Sequence, residues 1–288
     1  MTDYSSVTEA PGVKVTPEAA RMLHTRYGYA ANLCHDKDVL EVACGSGMGL
    51  GYLARRAHRL IGGDCTESLL SRAQAHYGKR VPLVRLDAHA LPFKDSSFDV
   101  VILFEAIYYL AHPQEFLNEC YRVLRQDGVL LLCTANKEWK GFNPSPHSRR
   151  YFCVYEIHEL LSECGFHPQI FGAFPAECPT IRDKVVACVR TAAVRLRLIP
   201  KTMSGKQSLK RFFYGSLVSL APEVADGDTK PETLRLLSPM EPAVGYKVLY
   251  ALGRRNATNS PPLVLYRCTP WSGQCCRDAN SLRARAKY

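Results

Sequence analysis

The chain has 288 residues, of which 47% are hydrophobic and 22% charged, and its formal net charge is +10. This composition suits one sizeable globular domain with appendages, and the basic excess favours acidic partners such as nucleic acid, anionic lipid or phosphate-bearing metabolites. There is no apolar run of about 18 residues and no basic flank before an apolar core at the N-terminus, so neither a spanning helix nor a signal peptide is expected.

The 12 cysteines form no CxxC pair and no Cys/His group with zinc-ligand spacing. Several of them lie inside apolar runs, where a free cysteine behaves as a small buried hydrophobe. We therefore expect reduced thiols, no metal site and a cytoplasmic protein.

Residues 1–16 are interpreted as a flexible lead-in, and apolar positions at helical spacing predict a helix over 17–35 that begins with Pro17. Apolar runs then predict seven strands, at 39–43, 59–63, 81–86, 98–104, 129–134, 168–174 and 246–252. Helices are predicted between them at 50–57, 68–77, 114–124 and 155–164. This alternation predicts an α/β fold, a doubly wound and mostly parallel seven-stranded sheet with helices on both faces.

The first predicted strand runs into a glycine-rich turn, which follows the pattern E-x-x-x-G-x-G from Glu41 through Gly45 to Gly47. Glycines allow positive φ and close approach of a ligand to the backbone. A dinucleotide fingerprint would have its third glycine at position 50, which is Leu50, and the Gly-Lys-Ser/Thr of a phosphate-binding loop is absent.

Two acidic residues follow at the ends of the next strands. Asp64 lies about twenty residues past the turn, where a carboxylate accepts ribose hydroxyls or caps the following helix. Asp87-Ala88 begins a D-A-x-x-L-P-F stretch that ends at Phe93. Because ligands of such open sheets bind beyond the carboxyl ends of the strands, the glycine turn, Asp64 and Asp87 are expected to meet at one site.

With these motifs the chain resembles class I S-adenosylmethionine-dependent methyltransferases of the broad small-molecule group, over roughly residues 20–175. The resemblance implies S-adenosyl-L-methionine as cofactor and S-adenosyl-L-homocysteine as its product. It assigns the ribose to Asp64, the adenine amino group to Asp87 with the Ala88 backbone, and the methionine part and ribose to the glycine turn. Glu41 would hold the turn or reach the amino group through water.

The resemblance extends to the segment Arg26-Tyr27-Gly28-Tyr29-Ala30, which is similar to an R-Y-x-x-A stretch of related methyltransferases. It implies that the leading helix closes over the cofactor, with Tyr27 and Arg26 near the methionine carboxylate. Packing of Tyr27 between helix and sheet is the alternative interpretation.

The catalytic residue stays open at the level of sequence. Glu105 and Tyr108 follow the fourth strand, His89 follows the adenine-side motif, and His147 lies in the loop after the fifth strand, which usually faces the acceptor in this family. Each has a structural alternative, as a packed aromatic or a solvated loop residue. Arg149 and Arg150 are candidates for holding an anionic acceptor.

A long basic insertion is predicted to be helical over 177–242, within a methyltransferase domain of 17–254, and residues 255–288 are expected to be a disordered tail. Within this insertion, residues 182–214 alternate basic and apolar side chains. That pattern is typical of a helix that contacts an anionic membrane, of a lid that binds an anionic acceptor, or of a helix with one solvated face.

The sequence thus favours methyl transfer to an oxygen, nitrogen or carbon of a small or lipid-linked metabolite. Nucleic acid is not expected, because no RNA-binding motif and no Asn-Pro-Pro-aromatic stretch is present. The alternatives are a nucleotide-dependent oxidoreductase on a similar fold and a non-catalytic membrane-associated adaptor.

Overall fold

The structure is a computed structural model that describes residues 3–145, 147–176, 216–227 and 231–255. The strands are β1 (Lys14–Val15), β2 (Asp38–Val42), β3 (Arg59–Asp64), β4 (Leu83–Arg85), β5 (Phe98–Phe104), β6 (Leu124–Ala135), β7 (Phe166–Pro175), β8 (Val218–Ser219), β9 (Arg235–Leu236) and β10 (Tyr246–Arg255). The helices are α1 (Pro17–Cys34), α2 (Leu50–Ala54), α3 (Glu67–Tyr77), α4 (Pro113–Val123) and α5 (Val154–Glu163), with a 3₁₀ turn at Ile107–Tyr109.

The main sheet has the strand order β4-β3-β2-β5-β6-β10-β7-β9. Strands β2 to β6 pair in parallel, whereas β10 pairs antiparallel with both β6 and β7. The predicted doubly wound, mostly parallel sheet is confirmed. An eighth strand, β9, adds only two residues at the edge beside β7.

Helices cover both faces of the sheet because the central strands are buried on both sides. One apolar cluster joins α1, α2 and α3 to the sheet, and a second joins α4 and α5 to its opposite face. Helix α1 begins where the sequence predicted, since the Thr16 hydroxyl accepts the Ala19 N–H at 3.1 Å and Pro17 occupies the first turn.

Residues 3–16 were predicted to be a flexible lead-in, but they pack against the domain. Ala10 is buried, and Lys14–Val15 forms an antiparallel pair with β8. Glu9 forms an ion pair with Arg26, a buried residue of α1. A buried guanidinium needs a counter-charge, which gives this segment a fixed place.

Most of the predicted helical insertion, 177–215, lies outside the described residues, as does the predicted tail from 256 onward. The described stretches 216–227 and 231–242 differ from a helix, because they carry only the short strands β8 and β9. Four prolines in these stretches oppose helix formation, at positions 222, 231, 239 and 242. Within the described ranges, no helix has the length and hydropathy needed to cross a bilayer.

Candidate functional site

A cavity of about 620 Å³ lies at the carboxyl ends of the parallel strands. Strand ends and the loops after them form its floor, while α1 and residues 4–9 of the lead-in form another wall. We call this space the site cavity. All predicted cofactor residues except Gly47 line it: Tyr27, Glu41, Gly45, Asp64, Asp87 and Ala88.

The glycine turn after β2 depends on glycine for two different reasons. Gly45 and Gly47 have φ of +57° and +80°, a region that strongly favours glycine. Gly49 allows a close approach instead, because a Cβ there would lie 1.8 Å from Cε1 of Tyr27. Gly45 faces the cavity, whereas Gly47 packs towards Leu50 and Tyr77, so its role is to shape the turn.

Glu41 and Tyr27 form a buried pair beside this turn. The Tyr27 hydroxyl donates to Glu41 Oε1 at 2.7 Å, and Glu41 is 2% exposed. Burial raises the pKa of Glu41 to about 7, against the lowering effects of the Tyr27 hydrogen bond and the Arg26 charge. Its second oxygen, Oε2, is buried without a hydrogen-bond partner among the described residues. The pair therefore fixes α1 on β2 and leaves one carboxyl oxygen of a cavity-lining residue without a partner among the described residues.

Asp64 is the last residue of β3, and its carboxylate is hydrogen-bonded to the backbone of two loops. Its Oδ2 accepts the Gly45 N–H at 2.9 Å, and its Oδ1 accepts the Thr66 N–H at 2.7 Å. A carboxylate offers about four lone-pair positions, so both oxygens keep capacity for a further donor from the cavity. The position of the carboxylate thus agrees with the ribose role that the resemblance implies.

His89 fixes the adenine-side loop rather than standing free as a base. Asp87 Oδ1 accepts the backbone N–H of His89 at 2.9 Å and lies 2.7 Å from its ring Nδ1. The backbone bond and the ring both lower the pKa of Asp87, against the effect of burial. The other ring nitrogen, Nε2, accepts the His112 N–H at 3.3 Å. Both nitrogens of this candidate base are engaged within the protein.

Glu105 and Tyr108 reach the cavity from the end of β5. Glu105 has a φ of +51°, and its N–H donates to the Cys133 carbonyl at 2.8 Å, which holds this uncommon backbone conformation. The Tyr108 hydroxyl donates to Glu105 Oε2 at 3.0 Å. Burial raises the pKa of Glu105, while the nearby Arg26 charge opposes the rise. A buried carboxyl with a raised pKa at a cavity is a stronger proton acceptor than an ordinary one, which makes Glu105 a candidate for accepting a proton.

The loop after β6 does not bring its predicted residues to the cavity. His147 is not among the lining residues. Arg149 contributes its backbone N–H, which donates to the Tyr108 carbonyl at 2.7 Å, and the Arg150 guanidinium pairs with Glu156 at 3.2 Å. The loop supports Tyr108 through its main chain.

Several lining residues were missed at the level of sequence. Tyr4, Thr8 and Glu9 belong to the supposed lead-in, and Trp139 and Phe142 follow β6. The Ser46 hydroxyl also donates to the Glu9 carbonyl at 3.3 Å, so the lead-in contacts the glycine turn directly. No local pattern marks these residues, because their role arises from tertiary packing.

Comparisons with known proteins agree with this geometry. Residues 40–132 match a protein-family model described as "Methyltransferase domain". The YcgJ protein of Bacillus subtilis has the same fold, with a TM-score of 0.53 and 16% identity over 81% of this chain and 98% of that one. Residues 40–132 thus match a methyltransferase domain, the chain shares its fold with this solved structure, and the predicted resemblance is confirmed.

Two curated mycobacterial relatives match over shorter stretches. "Probable S-adenosylmethionine-dependent methyltransferase" of Mycolicibacterium smegmatis is 37% identical over 146 residues, which are 49% of this chain and 56% of the relative. A phthiotriol/phenolphthiotriol dimycocerosates methyltransferase of Mycobacterium ulcerans is 43% identical over 98 residues, 33% of this chain and 36% of the relative. The chain spans about half the length of the curated S-adenosylmethionine-dependent methyltransferases it matches.

Proposed function

We propose that this protein uses S-adenosyl-L-methionine to methylate an oxygen, nitrogen or carbon of a small or lipid-linked metabolite. One observation carries the proposal. Glu41 and Asp64 lie at the ends of β2 and β3, and Asp87 follows β4, yet all three line one cavity with Gly45. Each belongs to a motif of the family resemblance. The names of the curated relatives support the same activity.

The residues present fit the cofactor. The buried and unpartnered Oε2 of Glu41 is an acceptor for its amino group. Asp64 has remaining lone pairs for the ribose hydroxyls, and Asp87 with Ala88 offers an acceptor and a backbone donor for the adenine. When bound, the cofactor supplies a methyl group already activated by a sulfonium. The protein's own task is then to orient the acceptor and exclude water.

Glu105 is the strongest candidate for holding a proton released by the acceptor. Its carboxyl lines the cavity and is buried, and the Tyr108 hydroxyl fixes the orientation of its Oε2. His89 is less suited to this role because both of its ring nitrogens are engaged, and His147 does not line the cavity.

A lipid-linked acceptor remains within this proposal. One curated relative carries the name of a dimycocerosates methyltransferase. The basic segment 182–214 lies outside the described residues, and its contact with an anionic membrane stays a prediction from the sequence.

Calorimetric titration of the full chain with S-adenosylhomocysteine tests the proposal. We expect micromolar binding by the wild type and loss of binding by Asp64→Ala. The matched control is Asp95→Ala, which removes an exposed carboxylate that pairs with Arg122 and does not line the cavity. NAD should compete poorly in the same titration. No binding of S-adenosylhomocysteine by folded wild type, or tight binding of NAD, would favour the oxidoreductase or adaptor alternatives.

A further inference from the structure

We propose, on the basis of the function above, that the acceptor part of the site cavity takes a flat, apolar molecule that carries no negative charge. Two independent features of the lining lead to this substrate class. The first is a group of aromatic side chains outside the cofactor motifs, and the second is the pairing of the cavity's cations.

The aromatic wall consists of Tyr4, Tyr108, Tyr109, Trp139 and Phe142, all of which line the cavity. The ring centroids of Tyr4 and Tyr109 are 5.0 Å apart, and those of Tyr108 and Tyr109 are 4.5 Å apart. Rings from three separate segments thus line the site. Aromatic faces bury flat apolar molecules well, because they offer large area in offset or edge-on contact.

A second layer holds the wall in place. Tyr151 stacks on Tyr108 at 4.4 Å between centroids and meets Phe142 edge-on at 4.6 Å. The Tyr109 hydroxyl is hydrogen-bonded to the Ser145 hydroxyl at 2.6 Å. Because these rings are fixed before any acceptor arrives, little ordering of side chains is needed on binding.

The charges of the lining oppose an anionic acceptor. Carboxylates predominate, and they are those of Glu9, Glu18, Glu41, Asp64, Asp87 and Glu105. The two lining side chains that are always cationic are both paired, Arg26 with Glu9 and Lys247 with Glu18, where Nζ lies 2.6 Å from Oε1. Among the described lining residues, no Lys or Arg is left to hold an anion.

The site cavity therefore differs from the protein as a whole. The chain carries a net charge of +10, which from the sequence alone allowed an anionic acceptor. Among the described residues, Arg149 and Arg150 do not line the cavity. A carboxylate or phosphate in the acceptor part of the cavity would lie near the Glu105 carboxyl without a free counter-charge among the described lining residues, and juxtaposed like charges are unfavourable.

Two probes of matched shape test the inference: uncharged 2-naphthylmethanol and anionic 2-naphthoate. Each is titrated calorimetrically into the full chain, with and without saturating S-adenosylhomocysteine. We expect the alcohol to bind at least about tenfold more tightly than the carboxylate, the ratio that a repulsion of about 1.4 kcal/mol produces. Equal or tighter binding of 2-naphthoate, or binding of neither probe, would overturn the proposal.

Variants distinguish the two features. Tyr109→Leu should weaken binding of both probes by a similar factor, because it removes ring surface and no charge. Glu105→Gln should narrow the gap between the probes by improving 2-naphthoate alone. Glu159→Gln, a carboxylate that does not line the cavity, should leave the ratio unchanged. An unaltered ratio in Glu105→Gln together with an unaltered affinity in Tyr109→Leu would contradict the assignment.

The titration also separates this inference from the function on which it rests. Failure of S-adenosylhomocysteine to bind would remove the proposed function, whatever the naphthyl probes do. Binding of S-adenosylhomocysteine together with indifference to the probes' charge would leave the function standing and remove only the acceptor class.

Discussion

Tyr27→Phe removes one hydroxyl group from the buried pair that joins α1 to β2. In the wild type this hydroxyl donates to Glu41 Oε1 at 2.7 Å, and Glu41 Oε2 has no partner among the described residues. The substitution therefore leaves neither oxygen of the buried Glu41 carboxyl with a hydrogen-bond donor among the described residues. The cost depends on whether Glu41 carries a charge, and so it depends on pH.

The direction of the pH dependence follows from the pKa of Glu41, which burial raises from an ordinary value of 4.5 to about 7. Below the pKa of the unfolded chain the carboxyl is neutral in both the folded and the unfolded state. Its contribution to stability is lost as the pH rises through the pKa of the folded state. The Tyr27 hydrogen bond counteracts part of this loss, because it favours the charged form. Without the hydroxyl, the folded pKa rises further and the loss at alkaline pH grows.

The magnitude can be estimated from the two kinds of hydrogen bond. At about pH 5.5 the variant loses a bond to a neutral group, worth about 0.5–1.5 kcal/mol, and at about pH 8.5 a bond to a charged group, worth about 1.5–3 kcal/mol. We expect the free energy of unfolding to fall by about 1 kcal/mol more at the higher pH.

Urea unfolding at both pH values measures this difference. The matched control is Tyr77→Phe, since the Tyr77 hydroxyl is equally buried but donates to the Gly47 carbonyl at 2.7 Å, which does not titrate. Its cost should be the same at both pH values. In a Glu41→Gln background, Tyr27→Phe should also lose its pH dependence. An equal cost at both pH values for Tyr27→Phe alone would refute the reasoning.

Three further predictions concern the turn, the lead-in and the basic segment. Gly49→Ala should weaken S-adenosylhomocysteine binding at least about tenfold in a calorimetric titration, because its Cβ would displace the Tyr27 ring. The control is Gly78→Ala, because Gly78 has a φ of +56° and open space around it. This control should cost about 1 kcal/mol of stability and leave the affinity unchanged. Glu9→Gln should destabilise by about 1.5 kcal/mol in urea, because the buried Arg26 loses its paired carboxylate and keeps only the more distant charge of Glu105. Glu67→Gln at an exposed pair should cost under about 1 kcal/mol. Anionic vesicles should sediment the full chain at low salt but not a variant lacking 182–214, and equal sedimentation of both would exclude that segment as the contact.

The sheet was predictable because its signals are local. Apolar runs separated by helical periodicity marked every strand from β2 to β7 and β10, and Phe98–Phe104 matches its predicted bounds. Strand β6 is longer than the predicted 129–134, since it starts at Leu124 and passes through Asp127, which has a φ of +60° inside the strand. The two-residue strands were not predictable, because pairing rather than sequence pattern creates them.

Some residues of the site were likewise predictable from local sequence signals and others were not. The glycine turn, Asp64 and Asp87 follow strand ends, so topology alone brings them together. The lead-in gave no such signal: it is polar, and its place depends on the buried charge of Arg26 in a helix that follows it. The engaged state of His89 was also hidden, because its partner His112 lies more than twenty residues away and contributes a backbone group.

A crystal structure of the full chain with S-adenosylhomocysteine tests the central claim most directly. We predict that the ligand lies in the site cavity, with its adenine beside Asp87 and Ala88, its ribose hydroxyls on Asp64 and its amino group at the free Oε2 of Glu41. A ligand bound elsewhere, or bound in this cavity with Glu41 and Asp64 both out of contact, would contradict the account.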